Sequence, residues 1–209
     1  MNVVRLADVP LQPWRNGRGT TRELLTWPST GEWQVRVSVA DISTDGDFSA
    51  WPGIDRWFAV IQGAGVTLTL PEGEVTLLRG DLPYRFAGDV AAGCALVDGP
   101  TQDLNLMVRR PGSGAGEISG ISPISHISHI SEMRRAVAGS RASTIADWRA
   151  LYAADALTLT LTLDGAVMPV AAGTLLWLAD DAPVGWQVQV QVQVQDSDAR
   201  AWWLSWRAR

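Results

Sequence analysis

The sequence predicts an all-β protein made of two similar halves. Three observations carry that expectation. Apolar and polar residues alternate with a period of two, Gly and Pro punctuate the alternation at short intervals, and the 3.6-residue period of an amphipathic helix is almost absent. A length of 209 residues suits one large domain or two small ones packed together. With 46% hydrophobic and 19% charged residues, the chain has the balance of a globular protein able to bury a core.

In the first half, WQVRVSVAD puts Trp33, Val35, Val37 and Val39 on one strand face and Gln34, Arg36, Ser38 and Ala40 on the other. RWFAVIQG runs to the glycines Gly63 and Gly65, VTLTLP closes at Pro71, and EVTLLRGD, YRFAGD and CALVDG follow. DLNLMVRR then sets Asp103, Asn105, Met107 and Arg109 opposite Leu104, Leu106 and Val108. Short strands so punctuated suit a barrel or a sandwich.

From Arg110 the texture changes to PGSGAGEISG and a three-residue repeat with Ile118, Ile121, Ile124, Ile127 and Ile130, which matches neither strand nor helix. Residues 112–135 therefore read as a Ser/Ile-rich linker between halves at 1–111 and 136–209. Beyond it, DWRALYAAD around Trp148 reads as a short helix or turn, and TLTLTLDG, GTLLWLADD, VGWQVQVQVQVQ and AWWLSWRAR read as strands. Trp202, Trp203 and Trp206 are expected in core packing, or as a cover over the partner half.

Composition narrows the function. The net charge of -5, with no run of five like charges, disfavours nucleic acid and anionic membrane as partners and leaves small molecules or proteins. All 17 basic residues are Arg, which suits a GC-rich coding sequence as well as it suits recognition of flat anions. Cys94 is the one cysteine, so neither an intramolecular disulfide nor a CxxC metal site can form. There is no signal-peptide pattern and no apolar stretch of about 18 residues, so the expected location is cytoplasmic.

His126 and His129 lie inside the tandem repeat with no third ligand nearby, and residues 1–125 contain no histidine. Metal-dependent chemistry and a Ser-His-Asp or Cys-His arrangement are disfavoured on that ground, and neither a cofactor nor a metal is expected.

Chemistry concentrates in the first half. PWRNGRGTTRE, residues 13–23, is a Gly-rich loop able to present backbone N–H groups to an anion, but it lacks the GK[ST] ending and the helix of a phosphate loop. FSAWPGIDR is a turn on Pro52 and Gly53 that delivers Arg56 to a strand. In a chain with three Asn, Asn16 and Asn105 both fall in motif-like segments. Arg36 and Arg56 could grip carboxylates, while Asn16, Ser38, Asp103 and Asn105 could fix an amide or amine. The competing reading of Arg36 and Ser38 is a plain solvent-facing strand, and of Asp103 and Asn105 a structural hydrogen-bond network.

Five segments in order carry a resemblance: W-R-N-G-x-G-T-x-R-E, R-x-S-x-A, F-S-x-aromatic-P-G-x-D-R, F-x-G-D and D-G-P-T-x-D-L-N-L-M-x-R-R. Over residues 10–111 the chain resembles the HutD/Ves family of the cupin superfamily, while the second half is similar in length and strand pattern only. Arg18 stands where the family usually has a third glycine, and Trp51 replaces one aromatic residue by another.

The resemblance implies a bicupin, two RmlC-like jelly-roll barrels, with the N-terminal segment packing into the C-terminal one. It implies a non-catalytic governor of histidine utilisation that binds an acidic intermediate such as formylglutamate, and Asn16, Arg36, Ser38, Arg56, Asp103 and Asn105 are compatible with that role. A homodimer is left open. The alternative is a metal-independent isomerase or epimerase that uses Asp103, Glu23 or Tyr84 to move a proton.

Overall fold

Alternation becomes strand along the chain. The computed structural model describes residues 1–111, 129–136, 140, 146–161, 167–179, 190–193 and 200–208. In chain order the strands are β1 (Asn2–Arg5), β2 (Gln12–Pro13), β3 (Gly19–Trp27), β4 (Val35–Ile42), β5 (Ile54–Gln62), β6 (Gly65–Leu70), β7 (Gly73–Leu78), β8 (Tyr84–Ala87), β9 (Gly93–Leu96) and β10 (Thr101–Arg109). They continue as β11 (His129–Arg135), β12 (Trp148–Ala153), β13 (Leu157–Leu161), β14 (Val167–Val170), β15 (Thr174–Ala179), β16 (Val190–Gln193) and β17 (Ala201–Ala208). Helix among the described residues is confined to one 3-10 turn at Leu6–Asp8. The protein is all-β, and its sheets are open.

The chain divides into one unit of Pro10–Ser128 and another of Met1–Val9 with His129–Arg209. In the first, a six-stranded sheet ordered β2-β3-β4-β10-β5-β8 faces a three-stranded sheet ordered β7-β6-β9. Ile42, Phe48, Phe58 and Val60 meet Val66, Leu68, Leu70 and Leu77 in one core between them. The opposite side of β4 and β10 carries Val35, Val37, Val39, Leu104, Leu106 and Val108, each at 0% exposure. That buried stripe fixes the register, because a slip of one residue would bring Arg36, Ser38, Asp103 and Asn105 to it.

The turns between strands are held by polar side chains of the motif segments. Gly53, at φ +75°, allows the turn in which Ile54 N–H donates to the Trp51 carbonyl at 3.1 Å. Asp89 accepts from Gly53 N–H at 3.0 Å and pairs with Arg110. Buried Asp55 accepts from Arg85 at 2.6 Å and from Arg110 at 3.4 Å. Thr101 Oγ1 donates to the Gly65 carbonyl at 3.2 Å and accepts Gly65 N–H at 3.3 Å. Much of the F-S-x-aromatic-P-G-x-D-R, F-x-G-D and D-G-P-T motifs is therefore framework.

The second unit has a five-stranded sheet ordered β1-β15-β12-β17-β11 and a three-stranded sheet ordered β14-β13-β16. Leu151, Leu157, Leu159, Val170, Leu176 and Trp203 form its core. β1 pairs antiparallel with β15, which places the first residues of the chain in this unit. Two sequence expectations are corrected. Residues 129–135, read as the end of the linker, form β11 paired with β17, because Met133 is buried at 2% exposure in the sheet. Residues 148–153, read as helix or turn, form β12 between β15 and β17, where every residue is buried and pairing overrides local propensity.

Residues 112–128, including His126, lie outside the described residues, as does most of VGWQVQVQVQVQ beyond 190–193. Trp202, Trp203 and Trp206 are buried.

β3 starts at Gly19, where the chain passes close to β4. A Cβ there would collide with the Asp41 carbonyl and sit 3.0 Å from the Trp14 ring. Gly19→Ala is expected to destabilise the protein by about 1–3 kcal/mol, seen as a lower midpoint in urea unfolding. An unchanged midpoint contradicts the close approach.

Candidate functional site

The six-stranded sheet places four neighbouring strands so that their polar residues share one face. In register, Glu23 of β3 lies opposite Ser38 of β4, and Ser38 opposite Asn105 of β10. One pair along, Arg36 lies opposite Met107, and Met107 opposite Arg56 of β5. Asp103 lies opposite Ala40. Strand alternation turns all these side chains the same way. They line a cleft of about 650 Å³ that is completed by Trp14, Asn16, Trp33, Phe48 and Trp51.

Arg56 is the unusual group. Its side chain is buried at 7% exposure, yet among the described residues it forms no ion pair. Phe48 and Phe86 cover the guanidinium, each ring centroid 5.0 Å from Cζ. Aromatic rings attract the cation without taking up its N–H donors. Nη2 donates to Asn105 Oδ1 at 3.0 Å, and Nε is buried without a partner. Burial, opposed by the charge of Asp103, draws the Arg56 pKa down to about 10, so it remains a cation at neutral pH.

Asn105 connects Arg56 to Asp103. Its Nδ2 donates to Asp103 Oδ2, while Asp103 Oδ1 is buried without a partner. Asp103 has 0% exposure, and burial pushes its carboxyl up to about 8; the Arg56 charge and the Asn105 hydrogen bond oppose that rise, and Asp41 adds to it. Cys94, in the core nearby, is pushed up to about 12 by burial and then by Asp103, so it stays a thiol.

The outer part of the cleft is organised around Arg36. Its Nε donates to Glu23 at 2.7 Å and its Nη1 approaches Met107 Sδ at 3.2 Å. Its Cζ lies 5.7 Å from the Trp51 ring, which is 6.2 Å from Trp33. Trp14 donates to Thr21 Oγ1 at 2.7 Å and meets Phe48 edge-on at 6.1 Å. The Gly-rich loop is closed locally: Gly17, at φ +68°, sits in a turn donating to the Trp14 carbonyl at 3.0 Å, and Asn16 Oδ1 accepts Arg18 N–H at 3.1 Å. Arg18 packs on Gly46, and its carbonyl takes Ser43 N–H at 3.1 Å and Ser43 Oγ–H at 3.0 Å.

All six residues singled out from the sequence line this one cleft. Arg36, Ser38, Arg56, Asp103 and Asn105 stand on its sheet face. Asn16 is exposed on the loop, its carbonyl already engaged with its own backbone. Sequence reasoning missed the aromatic walls. Trp33, expected on the apolar face of a strand, precedes β4 and lines the cleft instead. Phe48 and Trp51 sit on the connection before β5, and their place inside the F-S-x-aromatic-P-G motif was the available signal. Among the described residues no group of three or more His, Cys, Asp or Glu could hold a metal ion.

Comparison with known proteins agrees with this fold. A family model described as HutD matches residues 6–197. Protein Ves of Citrobacter koseri is 35% identical over 112 residues, 53% of this chain and 59% of that relative, so the chain spans little more than half the length of the relative it matches. The solved structure of HutD from Pseudomonas fluorescens SBW25 is similar with a TM-score of 0.76 at 26% identity, covering 100% of this chain and 98% of that one. A cupin 2 conserved barrel domain protein from Leptotrichia buccalis shares the fold alone, with a TM-score of 0.55 at 10% identity over 100% of this chain and 96% of that one. With the family match running through both units, the chain belongs to the HutD/Ves family.

Proposed function

We propose that the protein binds an acidic metabolite in the cleft of the Pro10–Ser128 unit and acts as a non-catalytic governor of histidine utilisation, with formylglutamate as the candidate ligand. In the same reading each two-sheet unit is a cupin jelly roll, and the molecule a cytoplasmic bicupin. The observation that carries the proposal is Arg56: a buried cation that forms no direct ion pair among the described residues, keeping an unpartnered donor beside a cleft of about 650 Å³. Burying an unpaired charge costs several kcal/mol, and an incoming carboxylate would relieve that cost.

Arg36 has a different part in this reading. Glu23 already neutralises it, so it orients Trp51 and meets the ligand's outer end. The aromatic residues supply apolar burial around a few polar groups, the usual make-up of a small-molecule site.

A second reading rests on Asp103. A carboxyl raised to about 8 in a cleft could exchange a proton with a substrate carbon, as in a metal-independent isomerase. Under that reading solvent deuterium enters a C–H position of a sugar or hydroxy acid. Absence of exchange across a panel of both removes it.

Formylglutamate at millimolar concentration is expected to raise the melting temperature, since a ligand bound only to the native state stabilises it by mass action. No shift with formylglutamate, urocanate or related acids ends the governor reading. Arg56→Ala is expected to weaken the acid's affinity by about 2–4 kcal/mol and Arg36→Ala by about 1 kcal/mol, measured by titration calorimetry. Equal affinities for both variants and the parent clear the two arginines of the role.

A further inference from the structure

We infer that the acid binds the form of Asp103 that is protonated on Oδ1 and presents that proton to the ligand as a hydrogen-bond donor, so that where Asp103 is ionised binding takes up a proton from solvent. This deepens the acid-binding reading and rests on it.

The argument starts from Asn105. A guanidinium can only donate hydrogen bonds, so the Asn105 atom facing Arg56 must be the carbonyl oxygen. The Asn105 amide nitrogen therefore faces Asp103, and an N–H₂ group can only donate, so Asp103 Oδ2 must accept. A proton on Asp103 then has one place to sit, on Oδ1. That atom is buried, has no partner, and belongs to a residue lining the cleft. One arginine, read through one amide, decides which oxygen of a carboxyl two residues away carries the proton.

The consequence for a ligand is electrostatic. An ionised Asp103 would place an anion beside the carboxylate that Arg56 is to receive, with the Asn105 amide standing between Arg56 and Asp103. A protonated Asp103 removes that repulsion and adds an O–H donor to the Arg56 edge. Asp41 on β4 is the acidic neighbour that favours the proton, Arg56 on β5 is the cation that opposes it, Cys94 on β9 is a neutral thiol, and Glu23 on β3 is engaged by Arg36 of β4. With its carboxyl at about 8 in the free protein, Asp103 is near half-charged at that pH, and a bound anion raises it further.

The test is calorimetric titration of the full chain with N-formyl-L-glutamate, which has no group titrating between pH 7 and 9. Buffers of low and high ionisation enthalpy are compared. Cys94, at about 12, and Arg56, at about 10, titrate above that window. The expected result is a binding enthalpy that depends on the buffer, with proton uptake rising toward about one per acid bound at pH 9, and an affinity that falls by up to about tenfold per pH unit above 8. In Asp103→Asn the amide donates at every pH, so the uptake disappears. Should that variant not fold, the parent protein decides alone. Binding with a buffer-independent enthalpy and a flat affinity from pH 7 to 9 overturns the proton step while leaving acid binding intact. No binding at any of these pH values overturns both.

Discussion

A guanidinium kept inside the protein with no carboxylate directly against it among the described residues is the constraint around which the Pro10–Ser128 unit is arranged. Full burial would drive most ionisable groups to neutrality, but arginine holds its proton far too tightly for that. The surroundings therefore have to accommodate the cation. The Phe48 and Phe86 rings lie against it, Asn105 accepts from one nitrogen, and Asp103 stands one amide further away. A direct ion pair would close the edge that Arg56 Nε leaves open. The interposed asparagine keeps Arg56 and Asp103 linked without a direct contact between them.

The rest of the unit follows from holding that arrangement in place. β4, β10 and β5 must lie side by side in one register, and the fully buried valines and leucines on the reverse of β4 and β10 prevent any other. The turn that launches β5 must deliver Arg56 at the right height. Asp89, Asp55 and Arg110 lock that turn to the end of β10. Such a frame needs polar residues outside the cleft, and the motif-rich segment holds these beside the cleft-lining ones.

Strand alternation makes much of the site legible in the sequence. Arg36 and Ser38, or Asp103 and Asn105, are spaced by two and so had to share a face with their partners. The approach of Arg56 to Phe48 and Phe86 was not legible, because it depends on closing the chain over separations that no local period reports. Trp33 was assigned to the wrong face for a related reason: the strand begins two residues later than its alternation suggests. In the other unit, β11 was hidden by a three-residue repeat that matches no strand period, and β12 by Ala, Leu and Tyr in a helix-like order. Both are decided by the neighbours with which they pair.

The most direct measurement is the Nε–H resonance of Arg56 in a spectrum of arginine side chains labelled with nitrogen-15, followed as formylglutamate is added. If the cation receives the acid, that resonance shifts and its exchange with water slows in proportion to saturation, and it is absent in Arg56→Lys. An unperturbed Arg56 signal in protein that other probes show to be saturated would contradict the account.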